Sequence, residues 1–597
     1  MSGPIGSSQW MYSSAAGFYP YSIGQSLRFD GSSAYLNFTP SSSTTATVTI
    51  SFWVKRSKLG ATQYLFASGA ANARGNIGFN SSDQLFFQGF NSSGANSVLT
   101  SSMLFRDVSS WYHIVVECDG VTTTSNFPTN TNVYVNGSTI SMTHSTASSP
   151  SGGFRINDTQ VKHIGALTPT ASSYLSGYMA EVHWIDGTAL DATSFGETIN
   201  GVWVPKEYTG SHGSAGYYLP FDDSSAIGDD ESGNTNDWTA NNLAASDVMS
   251  GESPTNNFCT LNPLAYTNGI TLSDGNLTMA TTTNNRAVHG TIALPSSGKW
   301  YVELHVDSYA SGGGTQFGWC TDASLGYDEY SQSKGVFFST YNQAVTIDNS
   351  AGGGNYNTQG NNSSSNGDIY QLLLDVDNKV FYIGKNGTYR NSADPGNGTG
   401  GLDVTSMFTN AVTDIVFSAT RGGSYNETYS INFGQDSKDV SSANADDNGI
   451  GTFEYAPPSG FLALCSANLP EPTISPNSTE QADDYFNTLL YTGDGTTSRS
   501  ITGVGFAPDF VWGKCRSNAE DHILSDTVRG ANKKLESNNT GAEDTSTAAT
   551  LSGFESDGFT GPSSTPGNIN VNGRTYVAWN WKAGGTAVSN TDGSITS

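Results

Sequence analysis

Charge is scarce in this 597-residue chain: only 13% of residues are Asp, Glu, Lys or Arg. Runs of Ala, Leu, Glu, Lys or Arg are nearly absent, which excludes a fold built from long helices. No apolar run reaches about 18 residues, so no segment reads as a membrane-spanning helix. The first residues, Met1 to Ser14, lack the basic and apolar regions of a secretion signal. Cysteine is limited to Cys118, Cys259, Cys320, Cys465 and Cys515. Their odd number and scattered spacing fit neither a zinc site nor a disulfide framework, so they read as small buried hydrophobes in a chain that folds in a reducing cytoplasm. Basic residues are few, 25 against 53 acidic, and the net charge of −28 repels phosphate backbones. Nucleic acid is therefore excluded as an expected partner.

What the chain has in quantity is glycine, 68 residues, with abundant Ser, Thr and Asn between short β-branched and aromatic runs. Aromatics make up 11%, enough to fill several cores. The pattern predicts an all-β protein of tandem antiparallel β-sandwiches joined by short linkers, with about three or four domains. The organising stretch is Trp111 to Ile140. Trp111, His113, Val115 and Glu117 alternate with Tyr112, Ile114 and Val116, so the two sets face opposite sides of one strand. Val133-Tyr134-Val135 then runs into Asn136-Gly137, a pair that tolerates positive φ at both positions and marks a tight hairpin.

Residues 1–22 carry Trp10, Tyr12, Phe18, Tyr19 and Tyr21 without a period. They are expected to form an N-terminal docking arm, the competing reading being a strap on the chain's own first domain. Residues 23–205 hold Leu27-Arg28-Phe29-Asp30-Gly31, Ser51-Phe52-Trp53-Val54-Lys55, the central pair, and Gly177-Tyr178-Met179-Ala180-Glu181-Val182, in that order. This series resembles the laminin-G/concanavalin A-like jelly roll, and the resemblance implies two curved antiparallel sheets with sites on loops or on the concave face. Residues 206–259 read as a bridging segment.

Residues 260–470 contain Gly298-Lys299-Trp300-Tyr301-Val302-Glu303, Phe317-Gly318-Trp319, Asp375-Val376-Asp377-Asn378, Asn432-Phe433-Gly434-Gln435 and Pro457-Pro458-Ser459-Gly460-Phe461. Together these resemble a SPRY-type sandwich, which implies a binding module using loops at one end. Residues 471–483 are a Pro- and Ser-rich linker. In the β-rich stretch 484–597, the run from Tyr491 through Phe510-Val511-Trp512 to Tyr576-Val577-Ala578-Trp579 is similar to a domain of tail-fibre-like proteins of marine bacteriophages. Gly593 to Ser597 reads as ending inside a strand.

Concanavalin A-like sandwiches include glycosidases, which need two carboxyl groups about 5–5.5 Å apart when retaining. Glu181 and Asp186 have an odd offset that places them on opposite faces of a regular strand. Glu303 pairs only with His305, and Asp375 with Asp377 at a turn. All are expected to be solvated turn groups. The eight histidines (113, 144, 163, 183, 212, 289, 305 and 522) stand apart in sequence, with no metal-binding spacing. Asp229, Asp230 and Asp237, with Glu231 and Asn234, supply enough oxygen atoms for Ca²⁺ but not the spacing of an EF-hand, and Asp/Asn/Ser/Gly runs are ordinary turn chemistry. No enzyme activity and no other cofactor is expected.

The domain order resembles that of phage virion fibres. That resemblance implies attachment to other virion proteins through the N-terminal arm, host-surface or glycan recognition by the sandwiches, and a homo-oligomer, often a trimer. A head-decoration or tail structural protein is the alternative, and a polysaccharide depolymerase a minor one.

Overall fold

The computed structural model describes residues 18–583 apart from 42–45, 71–72, 93–94, 148–152, 267–268, 282–285, 311–313, 321–334, 342, 348–363, 409–413, 422–424, 437–439, 472–479 and 547–549. The predicted arm residues Trp10 and Tyr12, and most of the predicted linker, lie outside them. Among the described residues the regular structure is all strand apart from short 3-10 turns. The chain divides into two compact units, residues 1–471 and 472–597.

The first unit contains two sandwiches. In the first, Val48–Arg56 lies between Trp111–Cys118 and Ser176–Asp186 in one eight-stranded antiparallel sheet. The facing sheet is built around Gln63–Ala70, Ala73–Phe79 and Gln84–Ser92. The hairpin forms as expected, with Asn136 and Gly137 at φ 46° and 79° and Val135 paired to Ser138. Tyr112, Ile114 and Val116 point into the core between the sheets. The opposite side of that strand is buried too. Trp111 packs in the core that includes the second sandwich, and Val115 packs under Phe195, next to the Gly196–Ile199/Val202–Pro205 hairpin.

The segment expected to bridge the sandwiches instead completes the first one. Tyr217–Leu219 pairs with Val182–Trp184, Thr239–Asn241 with Tyr35–Asn37, and Val248–Ser250 with Gln25–Leu27. Tyr217, Phe221 and Trp238 fill its core, and an apolar segment of that size has nowhere cheaper to go than the sandwich it adjoins. The arm is corrected in the same way for its described part. Phe18 is buried, and the Ile23 N–H donates to Thr255 Oγ1 while the Thr255 hydroxyl donates back to Ile23 O. Residues 18–23 are a strap on their own domain.

The second sandwich packs a nine-stranded sheet centred on Lys299–Ser308 and Ile369–Asp375 against a six-stranded sheet centred on Ile415–Arg421 and Thr315–Cys320. The two sandwiches share buried groups. Trp53, Trp111 and Tyr178 of the first belong to the same hydrophobic cluster as Leu277, Trp300 and Leu304 of the second. The Tyr178 hydroxyl donates to Gly275 O at 2.7 Å, and Asn276 Nδ2 to Ser57 O at 2.9 Å. Lys55 and Glu252, both fully buried, pair at 3.1 Å in this junction.

The second unit carries a five-stranded sheet ordered Phe486–Thr492, Thr575–Trp581, Phe510–Cys515, Ile523–Asp526, Leu535–Glu536, and a three-stranded one. Its core is Ile501, Val511, Ile523, Leu551, Phe559, Ile569 and Ala578. All five cysteines are buried thiols.

Candidate functional site

A cleft of ligand size, about 760 Å³, lies where the two sandwiches of the first unit meet. The first sandwich contributes Ser57, Lys58, Gly60, Asp83 and Arg106, and the second Leu264, Ile270, Leu272 and Asn276.

A single carboxylate organises the first wall. The Val48–Arg56 strand ends in two successive cations, and the two-residue period sends them to opposite sides. Lys55 goes to the sandwich junction. Arg56 turns inward, where its Nη1 and Nη2 each donate to Asp83 Oδ1 at 3.2 Å. Nη1 also donates to Phe105 O and Nη2 to Lys58 O, so the guanidinium fixes the backbone on both sides of the cleft wall. Gly60 N–H donates to Asp83 Oδ1 at 2.8 Å and Arg106 Nε to Oδ2 at 3.1 Å. Burial pushes the Asp83 carboxyl up, but the Gly60 N–H and the two guanidinium groups outweigh it and hold it below the usual range.

Asp83 itself sits at φ 63°, a left-handed conformation held by its N–H donating to Asn80 O. Arg106 is 56% exposed and makes no hydrogen bond through its Nη groups among the described residues. With Arg56 buried behind it, the wall itself exposes Lys58 and Arg106 against Asp83, an excess of positive charge in a chain of net charge −28. A planar guanidinium with free Nη donors is suited to bidentate contact with carboxylate or sulfate.

Of the carboxylates expected to be solvated, Asp377 is exposed at its turn and accepts from the Gly298 N–H, while Glu181, Asp186, Glu303 and Asp375 are buried and engaged. Glu181 lies at a bulge between Ala180 and His183, at φ 50°, so the odd offset from Asp186 no longer describes a regular strand. The Tyr21 hydroxyl donates to Glu181 Oε2 at 3.0 Å and Tyr218 to Oε1 at 2.9 Å, which ties the N-terminal strap to the sheet. Burial, then Glu181, pushes the Tyr21 phenol up to about 12. Asp186 accepts from Asn157 Nδ2 and Ala215 N–H. Glu303 accepts from Tyr301 and from the Glu454 and Tyr455 N–H groups, with His305 3.6 Å away. Asp375 pairs with Lys299 at 3.2 Å and accepts from Asn378.

The histidines are not all isolated either. His183 Nδ1 lies 3.2 Å from His212 Nε2, and the His183 ring stacks on Tyr218 at 4.3 Å. Burial, then His183, lowers His212 to about 4. His113 lies between Trp53 and Trp203, with Nδ1 accepting from Trp203 Nε1 at 3.0 Å and Nε2 2.9 Å from Ser51 Oγ. An indole N–H can only donate, so Nδ1 is the acceptor and the proton sits on Nε2.

The calcium candidates Asp230 and Asp237 are engaged within their own segment. Asp230 accepts from the Tyr218, Ser232 and Asn236 N–H groups, and Asp237 accepts from the Asp230 N–H. Those carboxylates close a turn, which is what the Asp/Asn/Gly composition does without an ion. Among the described residues no group of three or more His, Cys, Asp or Glu side chains is arranged to hold a metal. Addition of EDTA is expected to leave the unfolding midpoint of the first unit unchanged by calorimetry.

The first unit is a pair of antiparallel sandwiches, the first of them laminin-G/concanavalin A-like. Residues 30–194 match the family described as the concanavalin A-like lectin/glucanases superfamily. Residues 481–597 match a domain of unknown function, DUF7483. No curated protein matches the chain.

Similar solved structures include the SPRY domain of human HERC1, at 14% identity over 29% of this chain and 96% of that one, with a TM-score of 0.23. Mouse laminin α1 domains LG4-5 give 8% identity over 76% and 90%, with a TM-score of 0.25. The CBM40 of Ruminococcus gnavus IT-sialidase, bound to α2,3-sialyllactose, gives 14% over 29% and 95%, with a TM-score of 0.21.

Proposed function

We propose that this chain is a saccharide-binding fibre or spike protein of a tailed-phage virion, and that its first unit holds an acidic polysaccharide of the host surface in the cleft between the sandwiches. The observation that carries the binding reading is the pair of cations Lys58 and Arg106 on the wall of a cleft of about 760 Å³, in a strongly acidic chain. An acidic polymer is repelled by the rest of the surface and is drawn to the place where the sign reverses. The fibre assignment is supported by the tandem order of sandwiches and by the likeness of the Tyr491–Trp579 stretch to tail-fibre-like proteins. In this reading the protein binds without a chemical step, because the buried carboxylates already accept from protein donors.

The test is titration of purified protein with a uronic acid polymer and with neutral dextran. The acidic polymer alone is expected to bind, more weakly as salt rises. The Lys58→Ala/Arg106→Ala variant is expected to lose about 10- to 100-fold in affinity, the loss of one or two charge-assisted contacts, with an unchanged unfolding midpoint. Equal binding of both polymers, or none, removes the cleft from the account. Absence of all saccharide binding, with the protein lying flat on particle shells in images, favours the head-decoration or tail-packing role instead. Release of reducing ends from the polymer would establish a depolymerase.

A further inference from the structure

Among the described residues the second unit leaves much of one face of its five-stranded sheet open to solvent. Register sets the face: Phe486 lies opposite Trp581, which lies opposite Phe510, and in the next row Thr488, Trp579 and Trp512 are aligned. Leu490 follows in the third row. The alternate residues Leu489, Val511 and Ala578 belong to the core, so the aromatic rows point away from it. Phe486 and Leu490 are 40% and 59% exposed, and Trp512, Trp579 and Trp581 are only partly covered. The rings make a continuous band, with Phe486 4.9 Å and Phe510 5.1 Å from Trp581, and Trp512 5.2 Å from Trp579.

We propose that this face is an interface between copies of the chain, so that the protein assembles through its second unit. Three observations favour a second copy as the occupant. The first is charge. A chain of net charge −28 repels itself, yet the charged groups in these rows are Lys514, beside His522, and Asp526, paired with Arg529. Among the described residues no acid in these rows stands without a cation beside it, so the self-repulsion of the chain is weakest here.

The second is area. Strands of seven, seven, six, four and two residues, about 3.3 Å per residue and 4.8 Å apart, present roughly 400 Å², so two such faces bury about 800 Å², the size of a weak interface that the adjoining edge would enlarge. The third is the edge. Phe486–Thr492 pairs only with Thr575–Trp581 among the named strands, so its other side offers a seven-residue pairing edge beside the apolar face. Leu490 and the tilted tryptophans supply few hydrogen-bonding groups, which a hydroxyl-rich sugar would require.

The test is the mass of the intact full-length chain in solution at micromolar concentration, by sedimentation velocity, for the wild type and for Phe486→Lys/Leu490→Lys. Both positions are exposed, so the folded unit tolerates lysine, and unchanged near-UV circular dichroism verifies it. The wild type is expected to be a closed oligomer. The double variant is expected to weaken association by about 100-fold or more, since it places two unpaired ammonium groups in a desolvated interface. Val528→Lys, 95% exposed in the turn after Asp526, is the control and leaves the mass unchanged. A monomeric wild type overturns the proposal, and so does an oligomer that survives the double substitution. A monomer that binds polysaccharide through Leu490 and the tryptophans overturns it too and gives the face to a sugar.

Discussion

Lys55→Met is expected to destabilise the first unit by about 3–5 kcal/mol, the cost of leaving one member of a buried ion pair alone. Lys55 Nζ donates to Glu252 Oε1 at 3.1 Å, Asn257 Oδ1 at 2.6 Å and Phe258 O at 3.3 Å. Both partners of the pair are out of solvent. Trp111 Nε1 donates to Glu252 Oε1 at 2.9 Å and the Phe258 N–H to Oε2 at 3.0 Å, so the carboxylate is held from both sandwiches' sides of the junction.

Burial pushes the Glu252 carboxyl above its ordinary range even with Lys55 beside it, and removing the ammonium pushes it further. A carboxyl whose folded-state pKa is raised binds its proton more tightly when folded. The variant is therefore expected to recover stability as pH falls and to lose it as pH rises. Lys55→Met/Glu252→Gln keeps an acceptor for Trp111 and removes the charge, so it recovers a large part of the loss. Urea unfolding of the three proteins at two pH values reads this directly. A loss below about 1 kcal/mol for Lys55→Met, the level of an exposed pair, would show that water reaches Glu252.

Alternation and turn chemistry carry their information in adjacent residues, and these parts of the fold are legible from the sequence. The Asn136-Gly137 and Asn386-Gly387 turns form with positive φ at all four residues. The order of strands in both sandwiches of the first unit follows the apolar runs. The site is legible only in part, because its members meet across long sequence separations. Asp83 reaches Arg56 across 27 residues, and Tyr21 reaches Glu181 across 160.

One local signal was present: Lys55-Arg56 at the end of a strand with period-two alternation requires one cation on each face, and both faces of that strand are buried. Glu181 illustrates the opposite case. Its face depends on a bulge, and a one-residue irregularity in an apolar strand leaves no compositional mark. The bridging segment was misplaced because its Asp/Asn/Gly turns outnumber its short strands, although Tyr217, Phe221 and Trp238 contribute large apolar groups to the core.

Acid is expected to destabilise the first unit from about pH 6.5 downward, starting before its carboxylates protonate, because His113 and His212 are held neutral. Burial, then the nearby His183, lowers His113 to about 3 against an ordinary value of 6.5. Trp53 stacks on the ring, Ser51 and Trp203 take both nitrogens, and His183 is the titratable group that acts on it. Around His212 stand His183, Asp230, Tyr208 and Tyr218, with Glu181 beyond His183.

Above pH 6.5 the folded and unfolded chains both carry neutral imidazoles, and neither residue affects stability. Below it the unfolded chain binds protons that the folded chain refuses. Stability therefore falls with pH until the folded-state values, near 3 and 4, are reached. A depression of this size at a fully buried site amounts to about 3–5 kcal/mol for His113. His113→Gln keeps an acceptor for Trp203 and a donor for Ser51 but does not titrate. Its stability is expected to fall only about half as steeply as the wild type's between neutral pH and pH 5, the remaining slope being that of His212. Parallel slopes for the two proteins would mean that His113 is charged in the folded state, and the ring would then be a cation stacked on Trp53.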